Sequence, residues 1–207
     1  MKLFLASSLD KTVSLLKPFL PKANSRVAFI ANAADIYKGD NWWIEADRKA
    51  LKEIGCEIVE VDLRQMTEEG FSEILKNVDV VHFCGGSVLY LIGLIKEKQL
   101  KDLIVDFVKR GGLYTGTSAG SMIVSTDLLL STADPEEKDY LETANIKEYS
   151  GLGLVDFLLI PHCNNPEFVA GNKDLVELMP KTNRPLIWVY DNQVVLVEDE
   201  KFEILSV

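Results

Sequence analysis

The sequence is poor in several residue types, and each shortage excludes a class of protein. Its 207 residues include only 2 histidines and 3 cysteines, and Cys56, Cys84 and Cys163 lack the spacing of a metal site. An odd number of cysteines without such spacing predicts reduced thiols and a cytoplasmic protein. No apolar run reaches the roughly 18 residues of a membrane span, so we expect no membrane partner. The apolar residues after Met1 stop at Ser7, too early for a signal peptide, and are typical of a first strand.

Basic residues are outnumbered as well. The chain has 22 lysines and arginines against 32 aspartates and glutamates, which gives a net charge of −10. Binding of nucleic acid requires a basic surface, so this balance excludes a nucleic-acid partner. Hydrophobic residues make up 47% of the chain, enough for one filled core at this length. We therefore expect residues 1–207 to form a single domain.

Short apolar runs alternate with helical patterns along the chain. Strands are predicted at residues 3–6, 27–31, 57–61, 78–83, 113–115 and 157–160. Helices are predicted at residues 45–54 and 100–108, where apolar residues recur every three or four positions. This alternation predicts an α/β fold with a mostly parallel central sheet and helices on both faces. Closely spaced strands at residues 186–189, 194–197 and 202–205 predict an antiparallel extension near the C-terminus.

Residues 116–120 read Gly-Thr-Ser-Ala-Gly and join a predicted strand to a helical segment. This is the layout of a nucleophile elbow, in which the serine occupies a turn so tight that its neighbours must be small. The N–H of the next residue, Ala119, would face an oxygen of the group under attack, and the helix start adds partial positive charge. Ser118 is therefore a candidate nucleophile. An ordinary glycine-rich turn remains the alternative.

A histidine base for Ser118 must be one of two residues. His82 lies inside the apolar run 78–83, where a histidine is more often a core residue than a catalyst. His162 follows the apolar residues 158–160 and Pro161, at the carboxyl end of a predicted strand. Sites of open α/β sheets assemble at such ends. The sequence therefore favours His162 as the base.

The acid that would orient this imidazole is predicted to be Asp191, in a turn between two predicted strands. Aspartate is also a common turn residue, which is the plain alternative for this position. Asp156 and Glu167 flank His162 in the sequence and remain rivals for the role.

Four motifs in this order carry a resemblance to a known family. They are Gly85-Gly86-Ser87 after a strand, residues 113–121, Pro161-His162 and a late acid. The most specific part of the resemblance is residues 108–112, which lead into the elbow. The chain resembles the aspartyl dipeptidase (dipeptidase E) family of serine peptidases, which includes cyanophycinase-like members. The resemblance implies a triad of Ser118, His162 and Asp191, with aspartate replacing the family's usual glutamate. It also implies an oxyanion hole from the N–H groups of Gly86 and Ala119. The mechanism of such a triad needs no metal or organic cofactor.

The order serine, histidine, acid is also similar to that of the class I glutamine amidotransferases, where cysteine replaces the serine. The resemblance to the dipeptidase E family implies hydrolysis of short peptides. Recognition of an N-terminal aspartate would need a cation, and Lys173, Lys181 and Arg184 cannot be matched to such a position. We therefore expect small-peptide hydrolysis without a marked need for aspartate. An esterase, amidase or glutaminase-like hydrolase and a non-catalytic binding protein remain alternatives.

Two further segments are candidates for the surroundings of the site. Trp42 and Trp43 could form a wall or lid, or equally pack in the interior or at a homodimer contact. The charged segment 131–149 joins the elbow region to the strand before His162 and could border the site.

Overall fold

The structure is a computed structural model and describes residues 1–133, 137, 150–166, 168 and 173–207. Of residues 173, 174 and 176 it describes the backbone alone. The described strands are β1 (Lys2–Ala6), β2 (Arg26–Ile30), β3 (Glu57–Glu60), β4 (Val80–Phe83), β5 (Leu113–Thr117), β6 (Leu158–Ile160), β7 (Leu186–Trp188), β8 (Gln193–Glu198) and β9 (Lys201–Ser206). The described helices are α1 (Leu9–Leu16), α2 (Trp42–Glu53), α3 (Glu68–Lys76), α4 (Val88–Glu97), α5 (Lys101–Lys109), α6 (Ala119–Met122) and α7 (Lys173–Leu178).

Seven strands form the central sheet, in the order β3-β2-β4-β5-β1-β8-β9. The pairs among β1 to β5 are parallel, whereas β8 pairs antiparallel with β1 and with β9. The prediction of a mostly parallel sheet with antiparallel strands near the C-terminus is confirmed. A second, two-stranded sheet is formed by β6 and β7.

Helices cover both faces of the central sheet, as predicted. On one face α1 and α2 pack on the sheet, where Leu51 of α2 shares a core with Phe4 of β1 and Phe29 of β2, all three fully buried. On the other face α3, α4 and α5 enclose a larger core that includes Leu5 and Phe83. Parallel strands covered on both sides must be apolar on both sides, which explains the continuous apolar runs of β1, β2 and β4.

The register of the parallel strands brings their carboxyl ends to one level. Ala6 of β1 pairs with Thr117 of β5, and Phe83 of β4 pairs with Gly116 of β5. The residues that follow these strands therefore leave the sheet side by side at one edge. This edge carries the candidate site.

The prediction for residues 186–189 was wrong in one respect. This segment forms β7, which pairs in parallel with β6 (Leu158 with Leu186, Ile160 with Trp188) rather than joining the antiparallel extension. The chain reverses direction after β7, at a turn in which the N–H of Gln193 donates to the carbonyl of Tyr190 at 2.9 Å. Asp191 lies in this turn between β7 and β8, where the chain passes from the small sheet to the central one.

The start of α2 also differs from the prediction. The helix begins at Trp42, three residues before the predicted start, so Trp42 and Trp43 lie in its first turn. Asn41 at its N-cap makes no side-chain capping bond, and aromatic residues have modest helix propensity, so the sequence signalled a later start. In the part of the chain that the structure describes, no helix is long and apolar enough to cross a membrane.

Candidate active site

Ser118 lies between β5 and α6 with a φ of +49° and a ψ of −112°. A positive φ is costly for any residue with a side chain, and it persists only where the surroundings hold it. Here the surroundings are backbone: a Cβ on Gly120 would lie 2.0 Å from the carbonyl oxygen of Phe83, and one on Gly116 would lie 2.5 Å from the backbone of Gly120. The N–H of Ser118 donates to the carbonyl of Ala6 at 3.0 Å. The small residues around Ser118 are therefore required by close packing of the chain.

Ser118, His162 and Asp191 form one chain of hydrogen bonds. The Nε2 of His162 lies 2.9 Å from the Oγ of Ser118, and its Nδ1 lies 2.6 Å from Oδ1 of Asp191. An ionised Asp191 can only accept, so Nδ1 donates and the Nε2 lone pair is left to accept the serine proton. The imidazole of His162 thus lies within hydrogen-bond distance of the other two side chains that the sequence predicted as a triad.

Asp191 is held by two further donors. The Oγ of Ser7 donates to Oδ1 at 2.9 Å, and Nζ of Lys11 donates to Oδ2 at 3.0 Å. Burial by itself raises the pKa of this carboxyl, but the bonds from His162, Lys11 and Ser7 outweigh it, so the pKa of Asp191 lies below its ordinary value. Asp191 is therefore a carboxylate with both oxygens engaged.

Ser7 also holds the backbone of the histidine loop. Its Oγ accepts the N–H of His162 at 2.8 Å, and His162 has a φ of +59°. Sequence reasoning missed Ser7 and Lys11. The available signal was position: Ser7 follows β1, a neighbour of β5, so it leaves the sheet beside Ser118, and Lys11 lies in the first turn of α1.

The loop after β4 lies against the serine. A Cβ on Gly85 would be 3.2 Å from the Cβ of Ser118, and Gly86 has a φ of +142° with the carbonyl oxygen of Ala33 only 2.3 Å from where its Cβ would be. Among the described residues, the N–H groups of Gly86 and Ala119 have no acceptor. Two free backbone donors beside a serine can bind a developing negative charge on oxygen.

The next residues start α4, with Ser87 as its N-cap. The Oγ of Ser87 accepts the N–H of Tyr90 at 3.0 Å. The carboxylate of Glu137 lies at the same helix end, where it accepts from Ser87 Oγ at 2.7 Å and from the N–H of Leu89 at 3.2 Å. Glu137 thus places one residue of segment 131–149 at the N-terminus of α4, directly after the Gly85-Gly86 loop. Residues 134–136 and 138–149 lie outside the described residues.

Of the two rivals of Asp191, the described residues include Asp156, which does not reach the histidine. Asp156 is paired with Arg184, and the two residues precede the parallel strands β6 and β7, whose carboxyl ends lead to His162 and Asp191 respectively. The pair therefore lies at the opposite end of the small sheet from His162. Glu167 and the side chain of Lys173 lie outside the described residues, and Lys181 is an exposed residue that also precedes β7.

Two aromatic side chains border the site. The ring of Phe168 stacks on the imidazole of His162 with centroids 4.4 Å apart and an interplanar angle of 26°. Trp43 donates its indole N–H to the carbonyl oxygen of Gly85 at 3.1 Å. Trp42, by contrast, is 62% exposed. Of the two tryptophans, Trp43 is therefore the one that lies at the site.

The second histidine is a core residue, as predicted. Nε2 of His82 lies 3.2 Å from Oδ2 of Asp47, and Nδ1 lies 2.9 Å from Oγ1 of Thr115. Cys84 is close enough to complete a three-residue ligand set with Asp47 and His82. Both ring nitrogens are already bonded, however, and burial raises the pKa of the Cys84 thiol well above its ordinary value. The cluster is accounted for as satisfied polar groups of the core.

Cys163 follows the candidate base directly and is not set up as a nucleophile. Its thiol lies 3.0 Å from the carbonyl oxygen of Ile160. Burial raises the pKa of Cys163, which favours the unreactive thiol form.

Comparisons with known proteins agree on one family. The profile of peptidase family S51 matches residues 3–205. An uncharacterized peptidase of Listeria innocua is 28% identical over 202 residues, which are 93% of this chain and 94% of the relative. A peptidase E of Nostoc sp. is 31% identical over 150 residues, 72% of this chain and 57% of that protein. A crystal structure of a Listeria monocytogenes protein described as a peptidase E has a TM-score of 0.88 at 25% identity and covers 100% of this chain and 98% of its own.

Proposed function

The chain belongs to peptidase family S51 and is a serine peptidase, and we propose that it hydrolyses short peptides with a triad of Ser118, His162 and Asp191. The observation that carries the proposal is the hydrogen-bonded chain through His162, which joins residues 44 and 29 positions away in the sequence. Such a chain, ending on a serine at a strained strand-to-helix turn, has the geometry of an activated nucleophile.

In the proposed mechanism Nε2 of His162 takes the proton of Ser118 as Oγ attacks the peptide carbonyl. The carbonyl oxygen becomes an oxyanion and accepts the free N–H groups of Gly86 and Ala119. His162 then gives its proton to the leaving amine, the C–N bond breaks and an acyl-serine remains. Water, activated by the same imidazole, repeats the sequence and releases the acid product.

Asp191 stabilises the imidazolium that forms in both steps. Its lowered pKa supports this role, because a carboxylate that stays ionised offers a full negative charge to the ring. Ser7 and Lys11 fix its two oxygens, so the imidazole keeps one orientation during the proton transfers.

We propose that substrates are short peptides with a free amino terminus and without a marked need for aspartate. A requirement for aspartate calls for a free cation at the site. In the described part of the chain the basic side chain that contacts the triad is Lys11, and its ammonium is bonded to Asp191. Arg184 is paired with Asp156 at the far end of the small sheet. Without a charge pair, apolar contacts separate substrates by only about 10- to 200-fold.

Comparison of kcat/KM for Asp-Leu, Ala-Leu and Leu-Leu, with a folded protein and a simple ester as further substrates, tests this function. We expect all three dipeptides to be cleaved within about a 200-fold range and the folded protein to resist. A far larger preference for Asp-Leu would reveal an acid-binding residue. If the ester is hydrolysed and none of the dipeptides is, the proposal of short-peptide hydrolysis is wrong and the site is that of an esterase.

A further inference from the structure

We infer that Trp43 is a positioning residue for the oxyanion hole: its indole N–H holds the peptide group between Gly85 and Gly86 so that the Gly86 N–H faces the substrate. The inference rests on the proposed function, because it takes this N–H as half of the oxyanion hole. It adds a residue that neither touches the substrate's reacting atoms nor belongs to the triad.

The argument starts from the peptide group itself. The indole binds the carbonyl oxygen of Gly85 at 3.1 Å, and the peptide is trans, so the N–H of Gly86 points to the opposite side. Fixing the oxygen therefore fixes the direction of the N–H. That N–H has no acceptor among the described residues, and the residue before it, Gly85, lies against Ser118, with a Cβ position 3.2 Å from the serine Cβ.

This peptide would be free to turn without the indole. Glycine on both sides removes the Cβ atoms that normally restrict such a rotation. The chain is anchored just before and just after it, by the N–H of Cys84 on the carbonyl of Ile30 (2.9 Å) and by that of Ser87 on the carbonyl of Ala33 (2.8 Å). Between these anchors, the hydrogen bond that the described residues make to the Gly85–Gly86 peptide group comes from the indole of Trp43. A turned peptide would present a carbonyl oxygen to the oxyanion and repel it.

A second contact of α2 sets the position of Trp43. Asp47 lies four residues later, on the same face of the helix, and is bonded to His82, three residues before Gly85. His82 is bonded in turn to Thr115 of β5, the strand that leads to Ser118. The buried pair Asp47–His82 thus fixes α2 against β4 at the height where the indole reaches Gly85. This gives the buried histidine a role outside the triad.

Aromatic contacts hold the indole ring in place. Tyr37 meets Trp43 edge-on with centroids 5.9 Å apart, and Trp42 meets it edge-on at 6.2 Å. These contacts depend on the ring and not on the N–H. Replacing indole by another aromatic ring therefore separates the hydrogen bond from the packing.

The test is Trp43→Phe, with Trp42→Phe as the matched control. Loss of a complete oxyanion donor costs about 10²- to 10³-fold in kcat, so loosening one donor should cost on the order of 10- to 100-fold. We expect Trp43→Phe to lower kcat by that factor with KM changed less than about threefold. Trp42→Phe should keep kcat close to that of wild type, because phenylalanine retains an aromatic ring at position 42 and the bond from Trp43 to Gly85 remains.

A second readout follows the oxyanion hole directly. A dipeptide boronate forms a tetrahedral adduct on the serine, and its affinity should fall in Trp43→Phe by the same factor as kcat/KM. Binding of intact Ala-Leu to Ser118→Ala and to Ser118→Ala/Trp43→Phe, neither of which can form the adduct, should not differ. 3-Benzothienylalanine at position 43 keeps the shape of indole and replaces N–H by sulfur, so it should reproduce the Trp43→Phe result even if phenylalanine leaves a cavity.

The outcomes separate this inference from the function on which it rests. Suppose that Ser118→Ala is inactive and that both position-43 variants keep the wild-type kcat and boronate affinity. This result overturns the role of Trp43 and leaves the proposed triad intact. An active Ser118→Ala variant overturns both. A raised KM with unchanged kcat would also reject the inference, because it would make Trp43 a substrate-binding wall.

Discussion

Ser118 and His162 work as one unit in the proposed mechanism, since the serine is nucleophilic only when the imidazole takes its proton. We expect Ser118→Ala and His162→Ala each to lower kcat by on the order of 10³-fold or more. The double variant should be little worse than either single one. Steady-state kinetics on Ala-Leu measures all three, and effects that multiply in the double variant would contradict a shared role.

Asp191 links catalysis to stability. The pKa of Asp191 is lower in the folded protein than its ordinary 3.8. The ionised carboxylate is therefore more stable in the folded than in the unfolded chain, and its ionisation contributes to the free energy of unfolding. The stability that this provides is fully present above about pH 4 and is lost as pH falls through the lowered folded-state pKa. Asp191→Asn should therefore be destabilised most at neutral pH, and its difference from wild type should shrink below pH 4.

Urea unfolding of wild type and Asp191→Asn at pH 7, 4 and 3 measures this difference. A gap that stays constant or widens in acid would show that Asp191 is not held as a stabilised carboxylate. The same variant should lose about 10²- to 10⁴-fold in kcat while remaining folded at pH 7, because the imidazole loses its ionised partner.

At the scale of elements, the ends of strands assemble the site, and Ser7 is the clearest case. It follows β1 and bonds both the backbone of His162 and the carboxylate of Asp191. Ser7→Ala should lower kcat by roughly 10- to 100-fold, because the histidine loop loses a bond that sets its geometry. Ser8→Ala is the matched control, since the Ser8 side chain makes no capping bond to α1. Equal effects of the two substitutions would assign Ser7 to general stability.

The elements that the sequence predicted well are those whose pattern is local. The parallel strands β1, β2 and β4 are buried on both faces and read as apolar runs, and α5 lies within one residue of its predicted position. The direction of β7 is not local, because a three-residue apolar strand looks the same in a parallel and an antiparallel pair. The role of Trp43 depends on where α2 begins and on the height at which it packs on β4. Neither can be derived from the spacing of residues.

At the scale of the whole molecule, the sequence could predict those site residues for which it offers few candidates. Two histidines left one at a strand end, and one serine had the small neighbours of an elbow. Asp191 was one of three candidates, and the fold separates it from Asp156 by the length of the small sheet. Ser7 and Lys11 were missed because serines and lysines are common and only the three-dimensional edge of the sheet selects these two.

The charge of the whole chain makes a prediction of its own. A net charge of −10 repels acidic substrates at long range, and salt screens this repulsion within about 10 Å at 0.1 M. The kcat/KM for Asp-Leu should therefore rise between 10 mM and 300 mM NaCl, while that for Ala-Leu stays nearly constant. A fall for Asp-Leu in salt would indicate a local cation that attracts the acidic side chain.

The central claim is that Ser118 is the nucleophile activated by His162, and labelling with a fluorophosphonate tests it most directly. The phosphorus forms a bond to Oγ as fluoride leaves, so tryptic mapping by mass spectrometry reads the modified residue. We predict one adduct, on Ser118, with activity lost in proportion to labelling and with labelling slowed by at least about 10³-fold in His162→Ala. Full activity in protein labelled at Ser118, or complete inactivation by an adduct on another residue, would contradict the account.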